Sequence, residues 1–519
     1  MLKDVLQRGY FPRELPTPFT TDSYATTVDK HHTSLPAPFS YNAKKGPKYW
    51  SRAFPYNVAR RGKIRRALAV PNPVNFYHTA QILCDGWKDL ETHFKKYDQT
   101  LSRPVFSKTG RAFDWEKGFG KLALSKVDNR NASRFVVQTD IASFYPTIYT
   151  HSIPWALHTK VVAKAHKNFS DNLGNKIDRA IRCGQEGQTI GIPVGPDTSF
   201  LAAEIVMTAI DEMLIAAGCS RYFRYMDDFE FACQTSNEAD QVIGQLQEVL
   251  TEFEITLSAP KTKVIELPCP IDPPWLKELQ GFEFRTTDGG QARDLSHYFD
   301  ASIERFLAHK NDAVIKYAIR RTSSVTIRPA NWNLFESLLL QWAIAESGVL
   351  PTALDFIKKY HDLGYTINKD KVKDALANLI QMHAPLGHTG EIAWAVWGMI
   401  LFKIPFDDAV VAILADINNS VVALVSLDAQ SQSLISKSHT FPKWAALMTE
   451  DELQGSNWLL AYEAIVKGWL PPSGGSDYTL TAPGFGFLRK NDVYFYDVGR
   501  TATYKPTVQY SAAAMLGYE

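Results

Sequence analysis

The stretch Arg221–Cys233, RYFRYMDDFEFAC, reads as two short strands joined by a tight turn at Asp227 and Asp228. Two adjacent carboxylates between apolar strand residues are poor sheet formers, and at short range each raises the other's pKa. Alone, the pair reads more readily as a type I′ hairpin turn, where Asp is common. A second stretch changes its meaning. In Thr139–Tyr149, TDIASFYPTIY, the apolar run Phe135-Val136-Val137 leads as a strand into Asp140, and from Phe144 onward the apolar spacing is that of a helix. The chain between Asp140 and Asp227 is long enough for a helix, a glycine-rich loop, a second helix and a returning strand, so the two acidic strand ends can meet in one sheet. Three Asp residues with no His or Cys in these motifs suit magnesium, which takes hard oxygen ligands. Two such ions can assist an in-line displacement at phosphorus.

Around this centre, residues 130–285 alternate strand-like and helix-like runs, an α+β pattern. Leu201, Ile205, Ala209, Met213 and Leu214 keep helical spacing, with Thr198 and Ser199 available as caps and Gly218 suited to a left-handed stop. The first 80 residues are rich in proline and aromatics and read as extended, turning chain. Between Asp29 and Asp85 there is no acidic residue, while Lys30, Lys44, Lys45, Lys48, Arg52, Arg60, Arg61, Lys63, Arg65 and Arg66 all fall inside. With Tyr49, Trp50, Phe54 and Tyr56 interleaved, this is either a phosphate-contacting surface with stacking platforms or a solvated basic loop. Beyond about residue 300 the strand signals thin out, and Asn333–Leu350, Ile392–Leu401 and Trp458–Trp469 carry helical spacing with Trp and Leu on the inner face.

The length of 519 residues argues for two or more domains, and 45% hydrophobic with 21% charged residues excludes a disordered or collagen-like chain. Fifty-six basic against 55 acidic side chains leave a net charge of +1, which excludes a histone-like overall charge but says nothing of local patches. Five cysteines, odd in number and far apart, read as reduced thiols. Asp4 and Arg8 interrupt what a signal peptide would need, and the apolar runs near residues 393–402 and 410–427 are too short or broken to span a membrane. A soluble, cytoplasmic protein is expected.

The motifs carry a resemblance. DIASFY looks like motif A of reverse transcriptases, GIPVGPDTS (Gly191–Ser199) like motif B, YMDD (Tyr225–Asp228) like motif C and LSAPKTK (Leu257–Lys263) like motif D. RRALAVPNP (Arg65–Pro73) resembles the fingers segment before the palm, and Gly281-Phe282 the primer grip after it. SFYPTIYTHSIPWA (Ser143–Ala156) and GIPVGPDTSF (Gly191–Phe200) are most similar to the bacterial abortive-infection and defence-associated reverse transcriptases, the AbiK-like group. The resemblance implies an α+β, reverse-transcriptase-like fingers and palm followed by an all-α helical-repeat domain. Fingers and N-terminal extension would cover residues 1–130, the palm 131–289 and the helical domain 290–519.

Residue by residue, the resemblance implies that Asp140, Asp227 and Asp228 hold two Mg2+ ions, with Mn2+ as a substitute and the Ile141 carbonyl as a further ligand. Tyr145 would be the steric gate against a ribose 2′-hydroxyl, or else a core aromatic. Arg65 and Arg66 would contact the incoming triphosphate or the template, or else belong to the solvated basic loop; Gly195 would contact the nucleotide. Lys261, rather than Lys263 further along the strand, would neutralise or protonate the pyrophosphate, or either lysine is an exposed strand residue. Templated enzymes usually carry Gln where this chain has Val194, and an apolar side chain cannot make that residue's hydrogen bonds. The expected partners are deoxynucleoside triphosphates, a single-stranded DNA product left covalently attached if a tyrosine primes it, a non-coding RNA if synthesis is templated, further copies of the chain as a homo-oligomer, and no membrane. A templated polymerase and a catalytically silent nucleic-acid scaffold are the competing readings. His388, Glu391, Glu463 and Lys467 on apolar helices read as buried or interhelical ion pairs.

Overall fold

The computed structural model describes residues 1–60, 64–117, 119–309 and 313–501. Arg61 and Lys63 of the basic segment therefore lie outside the described residues. Strands β1 (Phe54–Ala59) and β2 (Arg65–Val70) form an antiparallel hairpin, and β3 (Pro104–Phe106) and β4 (Phe113–Trp115) form a second. The central antiparallel sheet contains β5 (Phe135–Asp140), β6 (Tyr222–Tyr225), β7 (Asp228–Cys233) and β8 (Lys263–Glu266), in the order β6-β7-β5-β8. RYFRYMDDFEFAC is thus the β6–β7 hairpin expected from its pattern. The helix Asp197–Ala216 is apolar on nearly every face, as a helix buried beneath a sheet must be.

Three local expectations change. The helix expected from Phe144 is three short helices, Phe144–Thr147, Ser152–His158 and Lys160–Ala165, the last two separated at Thr159 by a positive φ of 69°. Thr198 and Ser199 do not cap the next helix, which already begins at Asp197; Gly218 does adopt the left-handed conformation, with φ 93°. The supposedly extended N-terminal region holds the helices Leu2–Arg8 and Asp22–Lys30, the β1–β2 hairpin and the helix Pro73–Asp85. That last helix starts where Asn72 Oδ1 accepts from the Val74 amide and Pro73 occupies the first turn.

No strand occurs among the described residues after Glu266; the remainder is helical, so a helical half follows the α+β half. The helix Asp288–His309 runs across the boundary expected at residue 289. The helical half packs on the β1–β2 hairpin and the segment before it. Trp394 Nε1 donates to the Glu14 carbonyl at 2.8 Å, Asn419 Nδ2 to Pro55 O at 2.9 Å and Trp458 Nε1 to Val70 O at 3.3 Å. At Gly390 a Cβ would lie 2.6 Å from Asn57 O, so only glycine lets the two halves approach this closely. Trp342, Trp397, Trp444 and Trp458 are fully buried, as packing residues rather than ligand cages are. No helix among the described residues is long and apolar enough to cross a membrane, and all five cysteines are free thiols.

Candidate active site

The sheet register brings the acidic strand ends together. Asp140, last residue of β5, lies directly opposite Asp228, first residue of β7, and the Ile141 amide donates to the Asp227 carbonyl at 3.3 Å. Met226 and Asp227 form the two-residue turn between Tyr225 and Asp228. Of these two, Met226 has a positive φ, 53°, in a hairpin position that glycine usually fills. Such a conformation costs about 1–3 kcal/mol and persists where neighbours enforce it. Here the Met226 amide donates to Ser102 Oγ at 2.8 Å, and Arg224 donates to the Met226 carbonyl at 3.3 Å. The turn that aims Asp227 is gripped from both sides.

The carboxylates are poorly compensated. Asp140 is only 4% exposed, and its Oδ1 is buried with no hydrogen-bond partner. Burial, followed by the neighbouring Asp227 charge, pushes Asp228 up to about 7. Burial also raises Asp227, against the opposing pull of its own backbone and of Arg60, Arg66 and Arg224. Lys261 ion-pairs with Asp140 from the short 3-10 turn Ala259–Lys261, whereas Lys263 opens β8 opposite Gln138. An orphaned carboxylate oxygen beside two carboxyl groups whose pKa burial raises is a donor set of hard oxygens that fits a divalent cation.

Tyr145 is half-buried beside this centre: its carbonyl accepts from the Ile192 amide at 3.0 Å, and its hydroxyl feels the charges of Asp227 and Arg66. The loop at residues 191–196 rests on β2, where the Ala69 amide donates to Val194 O at 3.0 Å. Gly195 has a φ of 127°, its carbonyl accepts from Arg111, and Arg111 also pairs with Asp197 at 2.5 Å. The loop is therefore fixed by buried charge.

Two expectations fail. Arg65 does not face the carboxylates; alternation along β2 turns it to the opposite side, where it forms a two-pronged ion pair with Glu391 of the helical half and donates to Asn57 Oδ1 at 2.9 Å. Glu391 is accordingly paired with the fingers rather than with another helix. Nor do Tyr49, Phe54 and Tyr56 offer stacking surfaces, because all three are buried; Trp50 remains partly exposed, beneath the Arg179 guanidinium at 4.4 Å. Glu463 is wholly buried, accepts from the Phe495 amide and is pushed up to about 7 by burial, while Lys467 lies over the Tyr494 ring.

Sequence reasoning placed Arg60 only within the basic segment and missed, behind the turn, a buried charge cluster. Arg224 is completely buried in β6 and spans Glu204 (2.6 Å) and Asp211 (2.7 Å) of the helix Asp197–Ala216, with Tyr222 donating to Asp211 at 3.0 Å. The available signal was an arginine inside an aromatic strand, RYFRY, and two acids seven residues apart, two turns along one face of an otherwise apolar helix.

Residues 81–288 match the model of the family described as reverse transcriptase (RNA-dependent DNA polymerase). No curated protein matches the chain. Among solved structures, telomerase from Candida albicans in complex with a TWJ fragment of telomeric RNA is similar at 11% identity and a TM-score of 0.31, over 79% of this chain and 67% of that one. Apo telomerase from Candida tropicalis is similar at 11% identity and a TM-score of 0.33, over 68% and 72% respectively. The chain carries a reverse transcriptase domain and is a nucleotidyltransferase.

Proposed function

We propose that this chain is a DNA polymerase of the abortive-infection, AbiK-like type, acting against phage, and that it adds deoxynucleotides without a template from a tyrosine hydroxyl of the protein. One observation carries the polymerase chemistry: Asp140 stands opposite Asp228 with a buried, unpartnered oxygen, next to an Asp pair whose ionisation burial makes harder. Asp140, Asp227, Asp228 and the Ile141 carbonyl would hold two magnesium ions, with manganese as a substitute. When bound, the ions supply activation of an attacking 3′ or tyrosyl oxygen and charge stabilisation of the departing pyrophosphate.

The remaining roles belong to the chain. Arg66, with Arg60 beside it, attracts the triphosphate to the carboxylates, since both already act on Asp227. Tyr145 closes the cleft where a ribose 2′-hydroxyl would sit, favouring deoxynucleotides. Lys261 moves from Asp140 to the pyrophosphate, which it neutralises or protonates. Gly195, whose φ of 127° a side chain would strain and whose Cβ would meet Pro12 at 3.1 Å, offers the nucleotide its backbone alone. Val194 supports untemplated synthesis, because its side chain can donate no hydrogen bond to a template base. The motifs and the following helical half support the defence assignment. We assign that half to oligomerisation and to guiding the product.

The family description, RNA-dependent DNA polymerase, favours a second reading in which the chain copies a specific non-coding RNA. Incubation of the purified protein with single labelled deoxynucleotides and magnesium, with and without nucleic acid, followed by separate protease and nuclease digestion, separates the two. Label that migrates with the protein and forms without template supports protein priming. Strict dependence on an added RNA replaces it with the second reading.

A further inference from the structure

The helix Lys369–His383 ends in a 3-10 turn, Ala384–Leu386, and Gly387, with φ 64°, reverses the chain into the helix Thr389–Leu401. The reversal gathers His383, His388 and Glu391, so that one potential ligand atom from each lies within 4.8 Å of the others. The two imidazoles meet nitrogen to nitrogen, Nδ1 to Nδ1 at 2.8 Å. Two facing ring nitrogens cannot both carry a proton, so the contact holds one shared proton at most. The Nε2 of His383 is buried without a hydrogen-bond partner, so that atom does not tie its ring to one orientation. Glu391, 3% exposed, is oriented by the Arg65 fork and by Ser347 Oγ, which donates to it at 3.1 Å.

We propose that His383, His388 and Glu391 bind a divalent transition-metal ion of the zinc class at the joint between the helical half and the β1–β2 hairpin. Two imidazoles and one carboxylate are a zinc-type donor set, with a fourth position for water, and are unlike the all-oxygen set at the palm. Bonds of about 2.0–2.2 Å to a tetrahedral ion put ligand atoms about 3.3–3.5 Å apart, so the side chains need shift only slightly, and the ion takes the place of the proton between the rings. Arg65 uses one lone pair on each Glu391 oxygen and leaves others for the ion, acting as the outer partner that fixes a ligand's plane. Its positive charge opposes the cation, which places the site among the weaker zinc centres. His383 is half-buried, and Met382 and Leu386 beside it in sequence are exposed. Arg65 and Arg66 are consecutive in β2, so an ion here would stiffen the strand that carries Arg66 to the palm. The binding claim does not depend on how the palm carboxylates work.

The test uses the full chain, stripped with chelator and titrated with zinc by calorimetry, with Co2+ substitution as an optical probe. One zinc per chain, a raised melting temperature that chelator reverses, and the visible absorption of tetrahedral cobalt are expected. His383→Gln should weaken binding at least about tenfold. A chain with both Asp227→Asn and Asp228→Asn should keep the site, which separates it from magnesium at the palm. No tetrahedral cobalt spectrum in the unaltered chain, or zinc affinity unchanged by His383→Gln, would overturn the proposal and leave a hydrogen-bonded histidine pair beside an ion pair. Because His383 is half-buried and the cobalt spectrum needs no variant, a poorly folding His388→Ala does not obscure the answer.

Discussion

Two acidic clusters flank the β6–β7 turn, and the protein treats them in opposite ways. Behind the turn, Glu204 and Asp211 are buried against Arg224, which donates to both carboxylates and to the Met226 carbonyl. At the front, Asp140, Asp227 and Asp228 are drawn together by strand pairing, with an unpartnered buried oxygen and Lys261 as the cation in contact. Structural carboxylates are neutralised from within by a buried guanidinium. Those left under-compensated are poised for a charge that arrives from outside, and the rear cluster makes the front one rigid by holding the turn.

The contrast can be broken from either side. The largest effect should come from changing Asp227 and Asp228 together to Asn: nucleotide incorporation should fall by at least about a thousandfold, equivalent to about 4 kcal/mol of barrier, while the chain stays folded in a thermal melt. Unchanged incorporation would favour the silent-scaffold reading. Next, Arg224→Met should cost about 3–5 kcal/mol in denaturant unfolding, because it strands two buried carboxylates. Glu391→Ala should behave similarly but more mildly, since Arg65 is partly open to water.

A smaller effect is expected at Tyr145. Tyr145→Ala should relax discrimination between deoxy- and ribonucleotides by about 10–200-fold, read as the ratio of kcat/KM values. Unaltered discrimination would make Tyr145 a packing residue. The smallest effect is on stability against pH. The Asp228 carboxyl lies at about 7 in the folded chain against 3.8 when free, so the folded state holds a proton that the unfolded state has released. Stability from this group is therefore present below about 3.8 and declines as pH rises to about 7. Asp228→Asn should flatten the fall in melting temperature across that window in metal-free buffer.

The front cluster was legible because its parts are local patterns: a strand running into Asp140, and a strand, an acidic pair and a strand around Asp227. Sheet pairing then needed only the alternation of side chains to bring them together. The rear cluster was not legible as a unit, since Glu204, Asp211 and Arg224 become partners only when a helix packs beneath a sheet. Arg65 and Arg66 are adjacent and chemically identical, yet the pleat of β2 sends one toward Glu391 and leaves the other near Asp227. The buried aromatics Tyr49, Phe54 and Tyr56 misled for the same reason: composition reports an aromatic, and only packing reports which way it faces.

Local pattern was enough for the α+β core, the meeting of Asp140, Asp227 and Asp228 and the helical character of the second half, because hydrophobic period and turn chemistry act over a few residues. Tertiary structure alone decided that the helical half packs on the fingers hairpin, that Arg65 serves this joint, and that a strained Met226 is held by Ser102 and Arg224. Those outcomes depend on which distant surfaces exclude water together, and no local pattern records that choice.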